Sequence, residues 1–388
     1  MKNCFKLIDE TAKQLPMNTA AAAVFNRVAL LDALKRVAPA TCRKSSVLPI
    51  LQNVLFNVQK DGSAIITATN LELSVSVTLA TEARRNVLFT VPFAPLLKAV
   101  RLMRCDQIGF TPGENAVVFE SGSVSVTAHT CPAADYPQME SVLKMSIRNT
   151  ISDSVQFFDD LERARKCTSQ DGLRQVLTGV YLKKEYGRAV VTGTDGKRLL
   201  IIESTEMAGD DVNPAILPGK FIPVLKTAFA GKGGALTVDF YESHIVMESS
   251  NIRVALKKIE GSYPNAKQVI PVSLPEKLHI SAFVLEWLIN CAELVRNENN
   301  YLEMYLKPGR LELKTESCSV DAIGAAFCNL ESNDYAGDRE FHFTFNPDFL
   351  RMATLAGDDL TISFQDPLSP VMFSSPGRCY VLMPIRKR

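Results

Sequence analysis

No two cysteines in this chain are spaced C-x-x-C, and their total, nine, is odd. That argues against a zinc ribbon and against a disulfide framework, and it fits a reducing cytoplasm. Histidine is scarce: His129, His244, His279 and His342 stand far apart with no H-x-x-x-H pair, so no metal site is expected. Net charge is almost absent, at +1 from 43 basic and 42 acidic residues. Any nucleic-acid surface must therefore be local. No apolar run approaches the ~20 residues that a bilayer-crossing helix needs. The opening residues, 1–23, include Asp9 and Glu10 and lack the charged-then-apolar order of a secretory signal; they read as a loose extension. Catalytic signatures are missing too. Gly231-Lys232-Gly233-Gly234 lacks P-loop spacing, and neither G-x-S-x-G nor H-E-x-x-H occurs.

What is present repeats. At 388 residues, 46% hydrophobic and 22% charged, the chain is ordinary globular material with room for two to four domains. Three segments pair an apolar strand, a turn and a second strand: Val54–Val58 with Ala64–Asn70, Val180–Leu182 with Ala189–Asp195, and Leu302–Leu306 with Leu311–Glu316. A second element recurs at the same interval of about 120 residues. Val91 to Lys98 resembles Ile222 to Lys226 and Phe345 to Arg351, and a strand pair follows each. Each unit also opens on a helical pattern. Asn26 can cap a helix carrying Leu30, Leu34 and Val37, stopped by Pro39. Asp153 or Ser154 can cap one carrying Phe157, Leu161 and Ala164. Ser281 can cap one carrying Leu285, Leu288, Ile289, Ala292 and Val295. The expectation is an α+β chain of three similar domains, 24–145, 146–270 and 271–388, after the extension 1–23. Val124, Val126 and Ala128 alternate with Ser123, Ser125 and Thr127, which predicts an antiparallel strand with one wet face. At a sheet edge, such a strand could pair with another subunit.

Cations cluster on the helices. The segment 95–104 carries Lys98, Arg101 and Arg104 and no acid. Lys35, Arg36, Arg163, Lys166, Lys226 and Arg351 hold comparable places in the three units. Solvated helix ends explain each one alone; the repetition points to a shared surface meeting phosphates without base readout. Thr194-Asp195-Gly196 is a tight turn. Asp195 as a carboxylate nucleophile is a weak reading there. With Lys197, Arg198, Leu177 and Leu199, the turn suits a partner peptide with apolar anchors. The apolar tail Tyr380 to Ile385 suits a final strand that runs into a surface of adaptable Met and rigid Pro.

These features together resemble the bacterial DNA polymerase III β subunit family, the sliding clamps. The resemblance runs over about 24–386. It is carried by the three repeats, Leu48-Pro49-Ile50-Leu51, Leu173 to Gly179, Thr194 to Leu199, and Tyr380-Val381-Leu382-Met383-Pro384-Ile385-Arg386. It implies a DNA-clamp fold with antiparallel sheets outside and two helices inside each domain. It implies a head-to-tail homodimeric ring around duplex DNA, with no reaction and no cofactor of its own. It implies a cytoplasmic partner of the polymerase III catalytic subunit and of a clamp loader, both bound through short linear motifs and neither through a membrane. The motif positions place Leu177, Thr194, Gly196, Arg198, Leu199, Pro264, Val269, Val381, Met383, Pro384 and Ile385 in the peptide pocket. The basic residues above, with Arg43, Arg174 and Lys197, are the candidate DNA-facing set. Val124, Val126, Ala128, Leu294 and Val295 are the candidate dimer contacts. The near-neutral charge and the extension depart from the family pattern and point to a divergent or accessory member. The alternative is a non-encircling, clamp-like module that binds polymerase peptides.

Overall fold

The computed structural model describes residues 21–42, 48–137, 139, 147–231, 233–271, 274–296 and 298–386. Among them are six α-helices: α1 (Arg27–Val37), α2 (Phe93–Leu102), α3 (Ser154–Arg165), α4 (Ile222–Ala228), α5 (Ala282–Ala292) and α6 (Pro347–Arg351). The caps expected at Asn26 and Ser281 are in place, and Ser154 is the first residue of α3. Asn26 Oδ1 accepts from the amides of Val28 (3.0 Å) and Ala29 (3.1 Å). Ser281 Oγ accepts from Phe283 N at 3.2 Å. The expected stripes are buried: Leu30, Leu34 and Val37 on α1, Phe157, Leu161 and Ala164 on α3, Leu285, Leu288, Ile289 and Ala292 on α5. Helix α5 ends at Ala292, so Val295 falls beyond it rather than on its stripe.

The chain divides into two compact units, Met1–Ser154 with Pro223–Lys258, and Val155–Ile222 with Ile259–Arg388. The first unit contains an eight-stranded antiparallel run in the order Ile147–Ile151, Leu236–Phe240, His244–Ser249, Ile252–Lys257, Leu73–Ala80, Ser63–Thr69, Asn53–Val58 and Val87–Pro92. It also holds a five-stranded sheet ordered Glu82–Ala83, Ala23–Asn26, Gln107–Pro112, Ala116–Ser121 and Val124–His129. The second unit has its own eight-stranded antiparallel run: Glu276–Ser281, Asp359–Phe364, Val371–Ser375, Arg378–Leu382, Arg198–Gly209, Arg188–Thr194, Gly179–Glu185 and Ala215–Pro218. A four-stranded sheet accompanies it, ordered Ala322–Asn329, Arg310–Ser317, Leu302–Lys307 and Phe341–Phe345.

Each eight-stranded run has the same construction. Four strands of one sequence repeat join four of the next through a single antiparallel pair. In the first unit Val254 lies opposite Val75 and Ala255 opposite Ser74; in the second, Tyr380 lies opposite Leu200 and Val381 opposite Leu199. Compactness follows these shared sheets, and the middle repeat is accordingly divided between the two units. Phe25, Phe56, Phe89, Phe110 and Phe119 form a chain of ring contacts with centroids 5.0–5.9 Å apart in the core of the first unit, within the range where aromatic pairs attract beyond area burial. Phe341, Phe343, Phe345 and Phe364 do the same in the second.

Candidate peptide-binding site and basic helix faces

Strand register assembles the site. Thr194 pairs with Leu199, Leu199 with Val381, and Val381 with Met372, so four strands contribute one row to one face of the sheet. The turn that starts the row is locked by its own side chains. Thr194 Oγ1 donates to the Arg198 carbonyl (2.6 Å) and accepts from Gly196 N (3.1 Å). Asp195 Oδ1 accepts from the amides of Lys197 (2.9 Å) and Arg198 (3.1 Å), and its Oδ2 meets Arg198 Nε at 3.0 Å. Gly196 sits at φ +88°, where a side chain would be strained. Asp195 is thus spent on turn geometry.

Arg198 does two jobs. Its edge closes the turn, and its face covers the Phe349 ring at 4.2 Å. Phe349 is held in turn by its carbonyl, which accepts from Tyr380 Oη at 2.7 Å. Burial pushes the Tyr380 phenol well above its ordinary value, so it remains a donor at physiological pH. The tail is pinned after its strand ends: Met383 N donates to Lys197 O (3.1 Å) and Ile385 N to Thr344 O (2.7 Å). Pro384 is buried between them, while Met383 and Ile385 are each 39% exposed. Anchored backbone with half-open apolar side chains is the arrangement a docking peptide needs.

Leu177 is buried at the end of the short 3-10 segment Gly172–Thr178, and its carbonyl accepts from Ser169 N at 2.8 Å. A Cβ on Gly196 would come within 3.8 Å of Arg174 Nη1, which places Arg174 beside the Thr194-Asp195-Gly196 turn. Tyr263 stacks on Tyr181 with centroids 4.7 Å apart. Pro264 follows it, exposed, and Val269 is exposed as well. Phe349, Met372, Thr344 and Tyr181 join the site without having been singled out from sequence. Phe349 lies in a segment recognisable only as a repeat, and nothing local announces that an arginine about 150 residues earlier will cover it.

The cations divide into two groups. Lys35, Lys98, Arg101, Arg104, Lys166, Arg174, Lys197 and Lys226 are exposed. Arg36, Arg163 and Arg351 are engaged internally. Arg36 donates to the carbonyls of Ala228 and Ala230 and pairs with Asp32. Arg163 pairs with the fully buried Asp160 at 2.7 Å, a carboxylate that Ser204 (2.9 Å) and Arg378 (3.2 Å) also satisfy. Arg351 meets Glu293, Asp348 and Asn290. Arg43 lies outside the described residues. Of the candidate dimer contacts, Val124 and Leu294 are exposed, Val126 and Val295 half-buried, and Ala128 buried. Val124–His129 is indeed the end strand of its sheet.

Residues 23–140 match the N-terminal domain of the DNA polymerase III beta subunit, and residues 154–265 match its central domain. The chain belongs to the DNA polymerase III beta subunit family. Curated relatives are beta sliding clamps. That of Chlamydia muridarum is 26% identical over 368 residues, spanning 92% of this chain and 96% of the relative. That of Synechococcus elongatus is 24% identical over 355 residues, spanning 88% and 92%. Among solved structures, a DnaN sliding clamp from Pseudomonas aeruginosa, bound to griselimycin, superposes with a TM-score of 0.86 at 22% identity, covering 95% of this chain and all of that one. The C. crescentus beta sliding clamp gives 0.84 at 23% identity, covering 94% and 99%. The fold is that of the sliding clamps. As a member of this family, the chain is a DNA sliding clamp, a replication processivity factor and not an enzyme. No helix among the described residues is long and apolar enough to cross a membrane.

Proposed function

We propose that two copies join head to tail into a ring around duplex DNA, each copy contributing domains 24–145, 146–270 and 271–388. The Thr194–Leu199–Val381 row would take short linear motifs of the polymerase III catalytic subunit and of a clamp loader. One observation carries the ring. Three repeats have two junctions within the chain, and a matching pair of end strands is left over: Val124–His129 and Ala322–Asn329.

The two inner junctions predict the register of the third. Leu200 pairs with Gly193, which faces the carbonyl of Ala164 near the end of α3. Gly324 pairs with Thr315, whose Oγ1 donates to the carbonyl of Ala292 at the end of α5 (2.7 Å). Gly324 is therefore the counterpart of Leu200, and Val126 that of Tyr380. Val126 should lie opposite Gly324 of the second copy, Thr127 opposite Ile323 and Val124 opposite Ala326. Exposure supports this. Ile323 is 58% exposed, whereas Ser74 and Leu199 at the equivalent inner positions are 8% and 3% exposed. Leu294 and Val295, just past α5, are proposed to join the same contact.

Duplex phosphates are proposed to meet Lys35, Lys98, Arg101, Arg104, Lys166 and Lys226, with Arg36, Arg163 and Arg351 as less exposed members; Arg43, outside the described residues, is proposed for the same set. Arg174 and Lys197 flank the peptide turn and serve either partner. Loaded onto nicked circular DNA, the protein should remain bound and should slide off once that DNA is linearised; equal retention on both overturns the ring. A mass of about one chain by light scattering, with polymerase peptides still bound, would instead establish the non-encircling alternative.

A further inference from the structure

Each inner junction is latched on its helix side by a charged side chain of the leading helix. In the first, Arg36 on α1 donates to the carbonyls of Ala228 and Ala230, at and just past the end of α4. In the second, Asp160 on α3 meets Arg378 at 3.2 Å. Helix α5 leads the third junction. Its buried Leu285, Leu288, Ile289 and Ala292 match Leu30, Ala33, Leu34 and Val37 of α1 one for one, and both helices start directly after their caps. Cys291 therefore stands where Arg36 does, Leu288 where Asp160 does, and Trp287 where Asp32 does. No charged latch is left, because α5 contains one acid, Glu286, and no cation.

Trp287 is the one tryptophan of the chain and is 48% exposed. Phe283, one turn earlier, is exposed as well, but so are its counterparts Val28 and Val155, so that exposure belongs to the position. The counterparts of Trp287 are Asp32 and Asp159. In the first unit the Asp32 carboxylate lies 2.8 Å from Arg36 Nε, and the same guanidinium touches Ala228 and Ala230. A side chain as long as tryptophan at this position reaches whatever stands at those two places. On α2 the buried Phe93, Leu96, Ala99 and Val100 match Ile222, Leu225, Ala228 and Phe229 of α4, so the two places belong to Ala99 and Arg101. Arg101 is exposed, on a helix without an acid.

We propose that the latch is reversed at the third junction: Arg101 of the second copy lays its guanidinium plane over the Trp287 indole. The proposal rests on the head-to-tail reading above and names the side chains that close it. Contacts of this kind are already built within the chain, Arg198 over Phe349 at 4.2 Å and Arg310 over Phe327 at 3.8 Å, and tryptophan is the best ring for them. Charge favours the match, with the exposed Glu286 on the α5 side and the exposed Lys98 on the α2 side. Leu102 beside Arg101 and Leu294 past the end of α5, both exposed, supply apolar surface around the pair. Stacking uses the face of the guanidinium and leaves its N–H edge free, so Arg101 can still meet a phosphate.

The indole is its own reporter. The full chain is diluted without DNA while light scattering reads its mass and tryptophan fluorescence, excited where tyrosine does not absorb, reads Trp287. The emission should change as the dimer dissociates, with the same midpoint as the mass. Arg101→Gln should weaken the dimer about tenfold, and Trp287→Leu to a similar extent. The double variant should be no weaker than either single one, because a single contact has been removed. A dimer whose emission matches that of the monomer, or single losses that add in the double variant, overturns this contact and leaves the ring standing. A mass of one chain at every concentration overturns the ring reading itself, and the contact with it. Arg101→Gln changes only an exposed side chain, so it carries the test alone if melting shows that Trp287→Leu is unfolded.

Discussion

Arg198 shows how one side chain ties a turn to a distant ring: the Asp195 carboxylate fixes its edge, and its plane covers Phe349. Truncating Met383, whose amide is tied to the same turn at Lys197, should leave the fold intact and remove an anchor. Met383→Ala is expected to weaken a polymerase-tail peptide by ~1–3 kcal/mol, read by calorimetry. A second residue-scale effect concerns His244. Burial first, then Lys257 and Lys258, hold its pKa below the ordinary value, while Ser243 Oγ lies 2.7 Å from Nδ1. The unfolded chain therefore binds this proton more readily than the folded one. The resulting stability is present above the unfolded pKa of about 6.5 and is lost as pH falls below it. The melting temperature should drop between about pH 7.5 and pH 5.5, and His244→Asn should flatten that slope. At this scale the sequence was legible wherever chemistry is local. Thr194-Asp195-Gly196 names its own turn, because Gly takes positive φ and Asx side chains bond the next amides. Phe349 and Met372 were not legible, since each reaches the site through a strand register or ring contact set by residues far away in the chain.

Helices and their ends were readable for the same reason. Asn26 and Ser281 cap as expected because a cap needs only the amides two or three residues ahead. Strand partners are another matter. The alternation around Val124 announced a strand, and the structure adds that it ends its sheet with Val124 exposed and Val126 half-buried. The inner counterparts of Val126, namely Val254 and Tyr380, are fully buried. An edge with apolar residues invites pairing unless it is protected. Val126→Lys should therefore disfavour self-association without unfolding the chain. Light scattering is expected to show a fall from about twice 42.7 kDa toward 42.7 kDa; an unchanged dimer would rule out this edge as the contact.

At the scale of the whole chain, nearly balanced charge leaves no general field to hold a polyanion. Lasting attachment by this molecule would have to come from enclosure, with the exposed lysines and arginines acting only at short range. The repeats were visible in the sequence because duplicated strands and helices keep their spacing. The two compact units were not, because they are defined by which strand meets which, and the pairs Val254–Val75 and Tyr380–Leu200 bridge about 180 residues in each case. That sharing has a practical side for anyone making fragments. A middle repeat excised at its sequence borders would bare Ile252–Lys257 on one flank and Arg198–Gly209 on the other. Each would present a row of unsatisfied amides and carbonyls, and such a piece would sooner clump than stand alone. The repeated segment is a unit of sequence, not of independent solubility.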